Sequence, residues 1–144
     1  HGYHHVHMPI DGELVDVRWI PGRFFPQNPV ALRHIDAIYE RNERAVLRLR
    51  LDPSDDFAGG DALLVMVGAS LIGGIELDAM PRSRWARTAL GGATTIARRL
   101  AKGERVGHFT FGSTIVLVLP RGARPLGVRV GEEIRMGSAI GCTG

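Results

Sequence analysis

Hydrophobic and polar residues alternate most regularly in residues 45–51, where three leucines are separated by two arginines. A period of two predicts a strand whose leucines face a core and whose arginines face solvent. Apolar runs that favour strands recur in three further segments: residues 13–20, 62–69 and 115–119. After Asn28 and Pro29, apolar residues recur near helical spacing as far as Tyr39, which predicts one short helix. The pattern therefore predicts a mainly β fold.

The last part of the chain has a turn-like pattern. Val128, Gly131, Ile134 and Gly137 follow one another at intervals of three residues. This spacing resembles the closing turns of small barrels of the lipoyl or biotinyl carrier kind, so we expect a barrel-like sandwich spanning 1–144 as one domain. The likeness also leaves open a carrier or binding module. Such carriers present a modified lysine in a hairpin, and no comparable lysine occurs here.

Composition narrows the class of protein. The chain has 144 residues, of which 44% are hydrophobic, enough for a core without disulfides, and its single cysteine, Cys142, has no partner in the chain. The net charge of +3 comes from scattered arginines, which argues against a nucleic-acid-binding block. No apolar stretch approaches the roughly 18 to 20 residues that span a bilayer. We therefore expect any contact with a membrane to be peripheral.

Residues 81–100 lack a clear period. Several arginines surround Trp85 and a pair of glycines in this stretch. We expect a solvated loop, with a basic aromatic surface that meets anionic lipid headgroups as the alternative.

Four of the six histidines fall within the first seven residues. No cysteine or acidic cluster accompanies them, so general acid or base chemistry is favoured over a metal site, and we expect no metal. His1 and Gly2 are typical of a tag remnant. If the segment is extended, alternation places His5 and His7 on one face and His4 with Val6 on the other.

The segment 111–114, Phe-Gly-Ser-Thr, taken alone is an ordinary turn before a strand. The sequence around this segment, together with three other segments of the chain, changes that interpretation. The motif lies within residues 102–116, and together with residues 3–9 (Tyr-His-His-Val-His-Met-Pro), 42–44 (Asn-Glu-Arg) and 67–76 it resembles the phosphatidylserine decarboxylase family. In that family the protein cuts its own chain before the serine of a Leu-Gly-Ser-Thr motif, and the serine becomes a pyruvoyl group.

The resemblance implies cleavage between Gly112 and Ser113. The products would be a fragment 1–112 and a fragment 113–144 that begins with the pyruvoyl cofactor, the two remaining together as a heterodimer. The family's Tyr-His-x-x-His-x-Pro pattern selects His4 and His7, whereas alternation selects His5 and His7; a bulge could bring His4 and His7 together. By this resemblance His7 is the base for Ser113 and His4 donates a proton during decarboxylation.

The function implied by the resemblance is decarboxylation of phosphatidylserine to phosphatidylethanolamine through a Schiff base to the pyruvoyl group. The expected location is the cytoplasmic side of the cell membrane, held peripherally, without nucleic acid as a partner and with a homodimer left open. Two alternatives remain: a pyruvoyl-dependent decarboxylase of a soluble amino acid, and an unprocessed, non-catalytic binding domain.

The chain departs from the family pattern in two places. Phe111 stands where leucine is common, and the aspartate that the family uses for self-cleavage lies upstream of the histidine segment. No residue of this chain can be assigned to that aspartate, so we expect this stretch alone to stay uncut or to use another carboxylate. The motif Asn42-Glu43-Arg44 is explained as well by a buried or half-buried ion pair that joins helix and sheet as by a substrate contact.

Overall fold

The computed structural model describes residues 3–54, 57–69, 74–86, 92–110, 113–121, 123 and 127–141. Eight strands account for most of the regular structure in this part of the chain. The strands are β1 His5–His7, β2 Gly12–Ile20, β3 Arg44–Leu51, β4 Gly60–Gly68, β5 Ile75–Leu77, β6 Ala93–Leu100, β7 Arg105–Phe109 and β8 Ser113–Val118. The helices are α1 Pro29–His34, α2 Ile38–Arg41 and α3 Arg82–Trp85. The prediction of a mainly β fold is confirmed.

The larger sheet is antiparallel and has the order β6-β2-β3-β4-β8. Its central strand, β3, behaves as the alternation predicts: Leu47, Leu49 and Leu51 are buried. Arg48 lies on the opposite face, where its guanidinium lies 2.6 Å from the Asp16 carboxylate of β2. All four strands expected from the apolar pattern belong to this sheet.

A bulge in β2 explains an irregularity in its hydrophobic pattern. Leu14 pairs with Leu49 and Asp16 pairs with Leu49's neighbour Arg48, so Val15 is an extra residue on β2. The extra residue reverses the side-chain alternation, and the buried position moves from Leu14 to Val17. The bulge thus keeps both Leu14 and Val17 in the core.

The smaller sheet, β1-β7-β5, is also antiparallel and packs into the same core. Buried residues of both sheets form one hydrophobic cluster, which includes Val6, Ile75 and Phe109 from the smaller sheet. Two sheets around one core are consistent with a sandwich. The described strands form open sheets rather than a closed barrel, since β6 and β8 end the larger one. Within 127–141 the described residues form turns at Gly131 and Gly137 instead of strands.

The expectation of one short helix was wrong. The segment after Asn28 breaks into α1 and α2, because Ala37 adopts a left-handed conformation with φ of 55° between them. The supposed loop 81–100 contains α3 and β6, and Trp85 is fully buried instead of facing solvent. None of the helices in the described ranges is long and apolar enough to cross a bilayer.

Candidate active site

Two hydrogen bonds fix the ring of His7. Its Nδ1 atom lies 2.7 Å from the carbonyl oxygen of Gly103, and its Nε2 atom lies 2.7 Å from the Tyr3 hydroxyl. A carbonyl oxygen can only accept, so the neutral imidazole carries its proton on Nδ1 and presents a basic lone pair at Nε2. The Tyr3 hydroxyl donates to that lone pair, and its ring stacks on the imidazole at 5.8 Å between centroids. The ring of His7 is thus held with Nε2 as its acceptor.

The partner of His7 lies in the tight turn between β6 and β7. Gly103 adopts φ of 81°, a conformation that favours glycine, and its N–H donates to the Met8 carbonyl. The Met8 N–H in turn donates to the Glu104 carbonyl. This pair of backbone bonds joins the turn to the residue that follows His7. No upstream aspartate can be assigned in this chain, and the backbone carbonyl of Gly103 fixes the ring of His7.

The bulge that we considered in the histidine segment is present, but on the opposite strand. Val6 pairs with Gly107 and His7 with Arg105, so β7 holds the extra residue. Because β1 itself has no insertion, its alternation is preserved: Val6 is buried, whereas His5 is exposed and His7 half-buried. Tyr3, His5, Val6 and His7 all border one cavity, and His4 is absent from its lining. The role of His4 therefore stays a prediction.

The surroundings of His4 and His5 differ. The carbonyl of His4 accepts a hydrogen bond from the N–H of Phe109 and extends the β1–β7 pairing. The exposed His5 ring lies 5.6 Å from the ring of His108.

In the described part of the chain, no group of three or more His, Cys, Asp or Glu side chains is arranged to hold a metal ion.

A fixed positive charge lies beside this segment. The Arg105 guanidinium lies 2.5 Å from the Asp78 carboxylate and 3.4 Å from Nδ1 of His5. Its hydrogen bond to Asp78, and then the charge of that carboxylate, raise the pKa of Arg105 above its ordinary value. Arg105 therefore stays cationic at any pH at which the histidines titrate.

Ser113 is the first residue of β8, at the edge of the larger sheet. It stands opposite Gly68 of β4, whose N–H donates in the other direction, to the carbonyl of Glu43. In an antiparallel pair this marks a non-hydrogen-bonded position, so the N–H of Ser113 is directed away from β4. Gly112, the other side of the expected cleavage site, lies outside the described residues, as does Phe111.

A buried polar network surrounds the Gly68 carbonyl. The side-chain nitrogen of Asn42 donates to it at 3.0 Å and that of Gln27 at 3.1 Å. Asn42 also bonds both backbone groups of Phe25, each at 2.9 Å. The oxygen of Gln27 accepts from the Thr114 hydroxyl at 2.5 Å. The network thus connects the loop before α1 with the ends of β4 and β8.

Glu43 forms the buried ion pair that the motif Asn42-Glu43-Arg44 suggested. Its carboxylate lies 2.5 Å from the guanidinium of Arg82, which also lies 5.6 Å from the Trp85 ring centroid. Glu43 is 4% exposed and the Arg82 side chain 29%, so a half-buried pair joins α3 to the start of β3. The prediction of an ion pair is confirmed, and its partner comes from the stretch that we had expected to be a loop.

A cavity of about 680 Å³ lies between the histidine segment and β8. Tyr3, His5 and His7 form part of its wall, and Ile115 and Leu117 of β8 form another part. Ser113 lies two positions before Ile115, so the strand that begins with the motif serine leads into the cavity lined by the proposed base. Apolar residues of the last segment complete the lining, including Ile134, Met136 and Ile140.

Two contacts of this site were not anticipated from the sequence. Gly103 is 96 positions from His7, and Gln27 is 87 positions from Thr114. Gly103 does lie within the segment that carries the family resemblance, so that segment offered a signal for it. No local pattern marks Gln27.

Comparison with known proteins identifies the family of this chain. A family model described as phosphatidylserine decarboxylase matches residues 1–142. A phosphatidylserine decarboxylase proenzyme of Brevibacillus brevis is 32% identical over 96% of this chain and 49% of that relative. Proenzymes of the same name from Hahella chejuensis and Psychrobacter arcticus are 33% and 34% identical, again over 96% of the chain and 46% and 48% of their own lengths. The chain spans about half the length of these curated relatives.

Proposed function

Because the chain belongs to the phosphatidylserine decarboxylase family, we propose that the complete protein converts phosphatidylserine to phosphatidylethanolamine with a pyruvoyl group made from Ser113. One observation carries the proposal. The ring of His7 is fixed with Nε2 as an acceptor, and it lines the cavity into which the strand beginning at Ser113 leads.

The first step is self-cleavage. His7 takes the proton of the Ser113 hydroxyl, whose oxygen attacks the Gly112 carbonyl, and the amide becomes an ester as the Ser113 nitrogen leaves with a proton. The Tyr3 hydroxyl, which occupies Nε2 of His7, moves aside in this step. Elimination removes the α-proton of residue 113, releases the ester oxygen with Gly112 as the C-terminal carboxylate of fragment 1–112, and leaves dehydroalanine at position 113. Hydrolysis by one water then releases ammonia and yields the pyruvoyl group.

The backbone at position 113 suits such a group. The N–H of Ser113 takes no part in the ladder with β4, so losing this nitrogen costs no bond to that strand. The rest of β8, residues 114–118, pairs with Leu63 to Val67 of β4. This pairing supports the proposal that the fragments 1–112 and 113–144 stay together as a heterodimer after cleavage.

A pyruvoyl group supplies a sink for the electrons released when the substrate carboxylate leaves as carbon dioxide. The residues of this chain provide the remaining functions. We assign to His4 the delivery of a proton to the substrate α-carbon, because the family pattern selects it. The histidine segment and the apolar wall formed by Ile115 and Leu117 enclose the space for the substrate.

The apolar lining favours a lipid over a soluble amino acid. The wall carries more apolar than polar side chains, and Ile134 and Met136 extend it toward the surface, where each is about half exposed. A serine headgroup at a bilayer surface would reach such a site without leaving its membrane. We therefore propose peripheral binding at the cytoplasmic side of the membrane.

The assay that tests the proposal measures carbon dioxide release by the complete gene product. Phosphatidylserine in detergent micelles is compared with free serine, with a Ser113→Ala variant as the control. We expect release from the lipid alone and none from the variant. Release from free serine at an equal rate would favour a soluble amino acid decarboxylase, and no release from either would favour a binding domain.

A further inference from the structure

Gln27 forms a bridge beside the expected cleavage site. Its side-chain oxygen accepts from the Thr114 hydroxyl, and its side-chain nitrogen donates to the Gly68 carbonyl. Thr114 follows Ser113 directly, and Gly68 is the residue opposite Ser113. The Gln27 amide therefore holds both Thr114, which follows Ser113 in sequence, and Gly68, which faces Ser113 across the sheet.

The strand geometry shows why this bridge matters. The N–H of Gly68 points away from β8, so the N–H and carbonyl of its neighbour Val67 point toward β8. Thr114 pairs with Val67 and therefore occupies the first hydrogen-bonding position of the β4–β8 pair. Ser113 precedes this anchor and has no ladder bond to β4. The position of the peptide bond between Gly112 and Ser113 then depends on how firmly Thr114 is held. The backbone pairing holds its main chain, and Gln27 holds its side chain.

We propose that Gln27 is a positioning residue for self-cleavage at Ser113, acting through Thr114 and Gly68. The inference rests on the proposed function. By fixing Thr114 in one rotamer and the end of β4 in one place, Gln27 limits the motion of the bond that the Ser113 hydroxyl attacks. Intramolecular attack requires such alignment, and small displacements slow it severely.

The chemistry of the bridge requires an amide at this position. The Thr114 hydroxyl needs an acceptor, the Gly68 carbonyl has a second lone pair beside the one that Asn42 fills, and a neutral amide serves both in one plane. Asn42 donates to the same carbonyl but also holds Phe25, so its side chain cannot take over the contact with Thr114. Gln27 is also the only glutamine in the chain.

The main test measures the rate of self-cleavage of the complete gene product by mass spectrometry during synthesis and afterwards. Gln27→Met keeps the length of the side chain and removes both hydrogen bonds. We expect cleavage to slow roughly tenfold or more. Unchanged cleavage in this variant, with the wild type cleaving normally, would overturn the inference.

A neighbouring variant controls for simple destabilisation of the loop. Asn28→Ala removes the side chain that caps α1, where Asn28 accepts from the Ala31 N–H at 2.8 Å, and leaves the Gln27 contacts intact. We expect Asn28→Ala to lower thermal stability while cleaving within about twofold of the wild-type rate. Equal slowing in both variants would show that loop stability, rather than the bridge, controls cleavage.

Gln27→Glu provides a rescue that depends on pH. The ionised carboxylate still accepts from Thr114 but cannot donate to Gly68, whereas the protonated acid does both. We expect the cleavage rate of this variant, divided by the wild-type rate at each pH, to rise toward one as the pH falls to about 5. A ratio that stays constant would contradict the bridging role.

A double-mutant cycle tests whether Gln27 acts through Thr114. Thr114→Val removes the hydroxyl and keeps the shape of the side chain. We expect the double variant with Gln27→Met to cleave about as slowly as the slower single variant. Fully multiplicative effects would overturn the link to Thr114. If the wild type itself never cleaves, the proposed function fails, an outcome distinct from any of these.

Discussion

The Nδ1 atom of His7 lies 2.7 Å from the carbonyl oxygen of Gly103. This contact fixes both the tautomer and the ring plane of the neutral imidazole, a task that a buried carboxylate performs in many catalytic triads. A backbone carbonyl performs it here, from a turn held to Met8 by its own hydrogen bonds. The lone pair of the His7 ring is consequently at Nε2, where the Tyr3 hydroxyl donates.

Tyr3→Phe tests whether the Tyr3 hydroxyl merely occupies Nε2 of His7 or takes part in the proton transfer. If the hydroxyl must leave Nε2 before His7 accepts the serine proton, its removal should leave self-cleavage unchanged or a few times faster. The cleavage rate of the complete protein, followed by intact mass, measures this. Slowing of more than about tenfold would instead show that the Tyr3 hydroxyl takes part in the proton transfer.

Single substitutions of the three histidines separate their roles. His7→Ala should slow self-cleavage by about 100-fold or more, the usual range for loss of a general base. His4→Ala should cleave normally and then fail to decarboxylate phosphatidylserine, because its assigned proton transfer comes later.

His5→Ala is the matched control for these variants, since His5 shares the cavity wall with His7. It should cleave and decarboxylate at close to wild-type rates. If His5→Ala lost decarboxylation and His4→Ala retained it, the alternation of β1 would have identified the catalytic pair and the family pattern would not apply to His4.

Arg82→Ala tests the structural role of the buried ion pair. It leaves Glu43, which is 4% exposed, without its charged partner, and we expect a loss of about 2 kcal/mol in the free energy of unfolding. Arg50→Ala removes exposed pairs with Glu13 and Asp61 and should cost less than about 1 kcal/mol. Chemical denaturation of unprocessed protein compares the two, and equal losses would contradict a special role for the pair of Glu43 and Arg82.

Gly107→Ala tests close packing in the smaller sheet. A Cβ atom at this position would lie 2.2 Å from the carbonyl oxygen of Glu76 on β5, so strand β7 would have to shift. We expect destabilisation of about 3 kcal/mol or more, or failure to fold. Gly127→Ala, where a Cβ meets nothing within 4 Å, should be tolerated, and a stable Gly107→Ala variant would show that the sheet can adjust.

The parts of the fold that the sequence predicted are those with a simple period. β3 alternates leucine and arginine, and β4 and β8 are continuous apolar runs. β6 was missed because it is an edge strand with Arg98 and Arg99 near its end, and Ala97 takes a φ of 51° that interrupts its alternation. A one-dimensional pattern contains no signal for such a strand until its neighbour β2 is placed beside it.

The candidate site likewise has residues that the sequence predicted and partners that it did not. Ser113, His4 and His7 were named because short motifs carry them. Their partners are tertiary: Gly103 reaches His7 across the end of a hairpin, and Gln27 reaches Thr114 from a loop before a helix. Contacts between positions so far apart in sequence follow from the packing of the two sheets, and residue type alone does not reveal them.

The most direct test of the central claim is the intact mass of the complete gene product under denaturing conditions, beside its Ser113→Ala variant. We predict two chains for the wild type, cut before position 113. The C-terminal chain should have a blocked N-terminus and be lighter by one ammonia than a chain beginning with serine, and the variant should remain whole. A wild-type protein of a single uncut mass, or cleavage of the variant at the same bond, would contradict the account.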